Sequence, residues 1–273
     1  NIANGKVIIQ ADGYPMSGGQ DDYNTTLQAV ACADVINKKF NMRLKLRDPA
    51  KTITYYDTHV AFRIKDMVGN PVGTLLKNWS PPVLPGPQII VGRYVRLELL
   101  SAQKHAADLY ESYRGHDGVW DYMIAGPYSS SSQFYRWVSE VTAKQDVFFY
   151  AIIPIEKGKS EGIASYLRAQ PGAGSIEVGN IAYAPCLQRT KEATEAMFLM
   201  MRWAFEAGYR RYEWKCNALH EASRKAAQRL GFSFEGIFRQ AMVVKGRNRD
   251  TAWFAMMDHE WPALKEAFDV WLS

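Results

Sequence analysis

Between Ser175 and Phe234 the spacing of apolar residues switches between a period of two and a period of about 3.6, and each helical stretch stops at a glycine. Ser175–Ala184 reads as a strand. Pro185-Cys186-Leu187-Gln188-Arg189-Thr190 follows as a turn. Lys191 to Ala207 carries Ala193, Ala196, Met197, Met200, Met201 and Ala204 on one helical stripe, and Gly208 supplies a left-handed stop. Arg210 to Cys216 alternates Tyr212, Trp214 and Cys216 against Arg211, Glu213 and Lys215, as a strand with one apolar face does. Ser223 to Leu230 is a second helix closed by Gly231, and Phe232 and Phe234 begin another strand. This order of strand, turn, helix, strand and helix predicts an α/β (α+β) fold.

Upstream, Tyr94–Leu100 alternates as a strand, and Ser101 is a good N-cap for a helix reaching about Tyr113. Gly115–Ser132 reads as a loop rich in aromatic and small residues, and Gln133–Ala143 as a helix. Val147–Pro154 and Gly162–Ala169 are strands joined by turn-like residues, a meander. Downstream, Met242–Lys245 and Thr251–Met257 flank Gly246-Arg247-Asn248-Arg249-Asp250 as a closing hairpin.

Residues 68–92 hold Pro71, Pro81, Pro82, Pro85 and Pro87. Proline fixes φ and lacks an amide donor, so this stretch reads as an extended linker. It separates a domain over residues 93–273 from a small N-terminal α+β module over residues 1–67. That module has a strand at Lys6–Gln10, a turn at Gly13–Gly19 and a helix at Thr26–Phe40. A strand through Met42, Leu44 and Leu46 and another at His59–Ile64 complete it. About 65 residues is marginal for independent stability, so the module is expected to dock on the larger domain or on a second copy.

Of the 273 residues, 47% are apolar and 22% charged, an ordinary globular balance that excludes disorder over most of the length. The formal charge is +5, but the basic residues are scattered without a run of five. That favours a small polyanionic ligand over nucleic acid. Cys32, Cys186 and Cys216 are odd in number and lack metal-ligand spacing, so no metal is expected and free thiols in a reducing, cytoplasmic setting are. Neither a signal peptide nor an apolar run long enough to span a membrane is visible.

The string Gln188-Arg189-Thr190-Lys191-Glu192-Ala193-Thr194-Glu195-Ala196 resembles the pyrophosphate loop of GNAT N-acetyltransferases. That loop reads Gln/Arg-x-x-Gly-x-Gly/Ala and continues Thr-Glu-Ala in the ribosomal-protein alanine N-acetyltransferase-like branch. Gln188 and Ala193 match its ends, while Lys191 stands where the central glycine is usual. His220-Glu221-Ala222-Ser223, Leu230-Gly231-Phe232 and Glu235-Gly236 occupy the same frame. His220 replaces an asparagine there, and Asn217 lies one turn earlier. The tyrosine often found four residues after the Ser/Ala position, which protonates the leaving thiolate, is Ala227 in this chain. The resemblance spans about residues 94–261.

The resemblance implies a GNAT-like mixed, mostly antiparallel twisted sheet flanked by helices, opening as a V between the Ser175 and Arg210 strands. It implies acetyl-CoA, held by the backbone of Asn180 and Ile181, by Gln188, Arg189, Thr190, Lys191, Ala193 and Thr194, and by Asn217, His220 and Ser223. An acetyl group would pass directly to a primary amine, on a protein N-terminus or a small molecule. A lysine acceptor costs about 4–5 kcal/mol to deprotonate at neutral pH and an α-amine only about 1 kcal/mol, so a weak base acting through water suffices for the latter. Glu177 is the first candidate base and Glu213 the second. Ser223 is the candidate replacement acid. Trp120, Tyr122 and Tyr128 would wall the acceptor. Two other readings stay open: a CoA-binding sensor or scaffold with little catalysis, and a detoxifying acetyltransferase of small molecules. A homodimer is compatible with all three.

Overall fold

The computed structural model describes residues 71–273 throughout and, before them, only Ile2–Ala3, Lys6–Val7 and Ile64–Lys65. The chain divides into two compact units, Asn1–Lys77 and Asn78–Ser273. In the first, β1 (Ile2–Ala3) pairs with β2 (Lys6–Val7) and β3 (Ile64–Lys65) with β4 (Pro71–Val72), both antiparallel. The expected turn at Gly13–Gly19, the helix at Thr26–Phe40, the strand through Met42 to Leu46, and Cys32 lie outside the described residues. So do the remainders of the strands expected at Lys6–Gln10 and His59–Ile64.

The second unit is built on β5 (Ile89–Val91), β6 (Val95–Leu99), β7 (Val147–Pro154), β8 (Gly162–Gln170), β9 (Ser175–Tyr183), β10 (Arg211–Asn217), β11 (Ser233–Val244) and β12 (Arg247–Met257). They form one eight-stranded sheet in the order β11-β12-β10-β9-β8-β7-β6-β5. Every neighbouring pair is antiparallel except β9 and β10. The helices are α1 (Ala102–Tyr113), α2 (Ser131–Thr142), α3 (Lys191–Glu206), α4 (Glu221–Arg229) and α5 (Trp261–Leu272). The architecture is the mixed, mostly antiparallel sheet flanked by helices that the sequence predicts. Within the stretch expected as a linker, Ile89–Val91 forms the edge strand of this sheet.

Two apolar layers hold the sheet. Strand β7 is apolar at nearly every position because it is covered on both faces. Tyr150 and Ile152 join the core of α3, α4 and α5, while Phe149, Ala151 and Ile153 join that of α1 and α2. The methionine-rich stripe of α3 packs on Tyr166, Ile176 and Tyr212, and Tyr166 donates its hydroxyl to the Met200 carbonyl at 2.7 Å.

Three local expectations change. The last hairpin does not turn over residues 246–250: β11 runs on to Val244 and the chain reverses at Lys245 and Gly246, with φ of 50° and 73°. Two consecutive left-handed residues make the tight turn whose twist matches that of its strands. Ser101 stands at the start of α1 but its side chain makes no capping bond. Helix α4 begins at Glu221, two residues ahead of Ser223. No helix among the described residues is long and apolar enough to cross a membrane.

Candidate active site

Strands β9 and β10 run parallel from Ser175 and Arg211 to Val178 and Trp214, and their pairing stops there. Beyond that point β9 bulges. Its register on β8 passes from Gly179 opposite Ser165 to Ala182 opposite Ile163, one residue more on β9 than on β8. A bulge leaves its extra residue outside the ladder and bends the strand. Asn180 takes a left-handed φ of 50° here, which asparagine tolerates better than most residues. Its Nδ2 donates to Ser165 Oγ at 2.9 Å, and that hydroxyl donates to the Gly179 carbonyl at 3.1 Å. The result is the expected V, with the backbone of Asn180 and Ile181 at its apex.

The turn from β9 into α3 lies beside this opening. Thr190 caps α3, its Oγ1 accepting from the Ala193 amide at 3.1 Å. The other amides of the first turn have no partner within the helix, and the positive end of the helix dipole lies there. The left-handed residue of the turn is Arg189, at φ 63°. Lys191 is the first residue of the helix, so a glycine is not needed there for its backbone freedom. Its Nζ lies over the Tyr94 ring, 5.2 Å from the centre. Gln188 is spent on the turn, donating to the Tyr183 carbonyl at 3.0 Å. Arg229, which the sequence reading did not single out, reaches Thr194 Oγ1 at 3.4 Å and adds a cation. Free amides, a dipole and nearby guanidinium groups fit a pyrophosphate.

Past β10, the Asn217 side chain accepts from the Leu219 amide at 2.9 Å and shapes the turn into α4. The His220 ring stacks on Tyr122, centroids 4.3 Å apart and planes 12° from parallel. Burial first, and the charge of Arg249 second, push His220 below the ordinary histidine value. Ser223 Oγ accepts from Trp214 Nε1 at 3.0 Å. Ala227 is fully buried in the core, and Cys216 is buried as its alternation with Trp214 implies.

The two candidate carboxylates are engaged by cations. Glu177, almost wholly buried, holds Arg168 through two bonds of 2.7 and 2.8 Å and Lys215 at 2.8 Å. Glu213 holds the same Lys215 at 2.7 Å and Arg211 at 2.6 Å. Burial alone would raise the Glu213 carboxyl, but the bonds from Lys215 and Arg211 outweigh it and hold it below the ordinary value. As partners of Glu177, Arg168 and Lys215 were invisible in the sequence, although the alternation of β10 already sets Arg211 and Lys215 on the face of Glu213.

The three aromatic candidates separate. Trp120 and Tyr128 pack edge-on to each other, centroids 5.3 Å apart, with Phe134 and Trp137 in the core under α1 and α2. Only Tyr122 leaves that cluster, to meet His220. Lys245 at the hairpin tip donates to the Trp120 carbonyl at 2.8 Å and so ties β11–β12 to the aromatic loop. No cluster of three metal-ligating side chains exists among the described residues.

Residues 95–233 match the family model described as an acetyltransferase (GNAT) domain. A solved GCN5-related N-acetyltransferase from Brucella melitensis is 45% identical, over 72% of this chain and 91% of that one, with a TM-score of 0.71. A protein from Chromobacterium violaceum assigned to the GNAT family is 39% identical, over 71% and 98%, with a TM-score of 0.68. A Salmonella typhimurium acetyltransferase that modifies the N-terminal serine of a 50S ribosomal subunit protein shares the fold. It is 19% identical, over 62% of this chain and 98% of that one, with a TM-score of 0.54. No curated protein matches the chain.

Proposed function

The chain belongs to the GNAT family of acetyltransferases, and from that premise we propose that it transfers the acetyl group of acetyl-CoA directly to a primary amine. The observation that carries the reading is the bulge at Asn180, set in the opening between β9 and β10 and beside the capped start of α3. In this reading the first-turn amides of α3, with Arg189 and Arg229, hold the pyrophosphate. The backbone at Asn180 and Ile181 polarises the thioester carbonyl; donors of this kind contribute roughly 2.7–4 kcal/mol each to the transition state.

The amine nitrogen attacks the carbonyl carbon, a C–N bond forms, the C–S bond breaks, and the amine gives up a proton. We assign that proton to His220, directly or through water. Glu177 and Glu213 each hold two cations, which supports a role in fixing β8, β9 and β10 rather than in taking a proton. The His220 ring makes no hydrogen bond among the described residues, and its lowered pKa keeps it unprotonated at neutral pH. A base of that strength suits an α-amine better than the more basic side chain of a lysine. The leaving thiolate takes a proton from solvent or from Ser223, since Ala227 offers none.

The test is release of free CoA across a panel of primary amines, small molecules and peptide N-termini together. Turnover on at least one supports the proposal. Tight acetyl-CoA binding without turnover on any would favour the CoA-binding sensor, and failure to bind acetyl-CoA would sink both.

A further inference from the structure

Strand β12 carries three side-chain donors with nothing to donate to. Arg249 Nε, Thr251 Oγ1 and Trp253 Nε1 are shut off from solvent and have no hydrogen-bond partner among the described residues. They occupy alternate positions and therefore share one face of the sheet. It is the face of Lys215 and Asn217, because Trp253 pairs with Lys215 and Thr251 with Asn217. Ala252 and Phe254, between them, point into the core on the other side. Thr251 is only 5% exposed. Buried polar groups in folded proteins are nearly always paired, so three orphans in one row ask for an acceptor from outside the chain.

The charges on this face indicate what kind. Arg168, Lys215 and Arg211 are matched by Glu177, Glu213 and Glu235 through a continuous chain of ion pairs. Arg249 has no carboxylate at ion-pair distance among the described residues. The face therefore carries one uncompensated cation, and a guanidinium stays charged at any working pH. Burial pulls Arg249 below its ordinary value, as expected of a cation without a partner. Guanidinium and indole N–H groups can only donate, and a carboxylate only accepts.

Position adds the last element. Arg249 lies two residues beyond the pairing of Thr251 with Asn217, past the end of β10. That is the end at which β9 and β10 part, and where the Arg249 charge acts on His220.

We propose that Arg249 binds a carboxylate on the acceptor, so that the substrates are small molecules carrying an amine and a carboxylate together. The inference rests on the acetyl-transfer reading and deepens it. The amine faces His220 while the carboxylate is held on β12, which orients the nucleophile towards the opening.

The experiment compares kcat/KM for amino acids with that for their carboxamides, in the wild type and in Arg249→Gln and Arg249→Lys. The ratio of acid to amide is read within one protein, so partial loss of folded enzyme cancels. The α-amine of a free amino acid is more basic than that of its carboxamide, so the wild-type ratio is the reference. The expected result is that Arg249→Gln lowers the acid-to-amide ratio at least about tenfold, the worth of one charge-assisted bond, and that Arg249→Lys keeps part of it. A ratio untouched by Arg249→Gln overturns the inference and leaves acetyl transfer standing. So does a rise in KM for acetyl-CoA alone, which would give Arg249 to a phosphate of the donor. No turnover on any acceptor overturns both.

Discussion

The ring of His220 lies almost flat against that of Tyr122, 4.3 Å between centroids. This places the imidazole between the aromatic loop and the start of α4. Its folded pKa lies below the ordinary 6.5, from burial first and Arg249 second. The stability gained by burying the neutral ring is thus present above about pH 6.5 and is lost as pH falls through the folded pKa. The acid limb of kcat/KM should have its midpoint below 6.5. Replacing Tyr122 with alanine should move that midpoint up as the ring becomes more hydrated. Replacing His220 with glutamine should lower kcat by about 10²–10⁴-fold and flatten the limb. A pH–rate profile of the three proteins checks this, and full activity in the glutamine variant rules His220 out as the base.

Glu177→Gln should damage stability more than chemistry. It leaves Arg168 and Lys215 facing a neutral group, but Arg168 is 57% exposed and Lys215 keeps Glu213. The loss should therefore sit at or below the lower end for a broken buried pair, about 2–3 kcal/mol. Urea unfolding measures it. A kcat that collapses while the unfolding midpoint holds would return the base to Glu177.

Thr190→Ala removes the cap on the Ala193 amide. It should cost about 1 kcal/mol of stability and raise KM for acetyl-CoA more than it lowers kcat. Lys191→Gly, which restores the usual residue of the loop, should leave that KM within about threefold, a change of under 1 kcal/mol, because the lysine side chain already lies over Tyr94. A large gain in affinity for the glycine variant would mean the side chain obstructs the loop.

Glu195→Ala should be among the most destabilising substitutions in the domain. The Glu195 carboxylate accepts from the amides of Arg93 and Tyr94 at 2.7 Å and of Val95 at 2.8 Å, tying α3 to the start of β6. Stranding three amides, at roughly 1–3 kcal/mol for each that is fully buried, should cost about 3–5 kcal/mol in total. Thermal unfolding reads it out, and a melting point within a degree of wild type would refute it. Gly92 belongs to the same arrangement: a Cβ there would meet the Glu195 carboxylate at 2.5 Å.

The Thr-Glu-Ala string shows how far the sequence reads. It marks the helix and the family, and the stripe of α3, the alternation of β10 and the glycine stops fall where their periods put them. Those signals are local: each is a repeat along a single element, set by where that element meets the core. The string does not show that its glutamate closes the start of β6, because that bond joins distant parts of the chain.

The sequence by itself therefore determined the order of the elements from β6 to β12, the mixed sheet, the turn ahead of α3 and the family. Only the tertiary structure decided what the charged residues do. It paired Glu177 with cations from the strands on either side, set Glu213 between Arg211 and Lys215 of its own strand, drew Tyr122 away from Trp120 and Tyr128, and left Arg249 without a partner among the described residues. The physical reason is register. Whether a polar side chain meets a partner, the core or an open cleft depends on which residue of the next strand lies opposite it, and no pattern within its own strand records that.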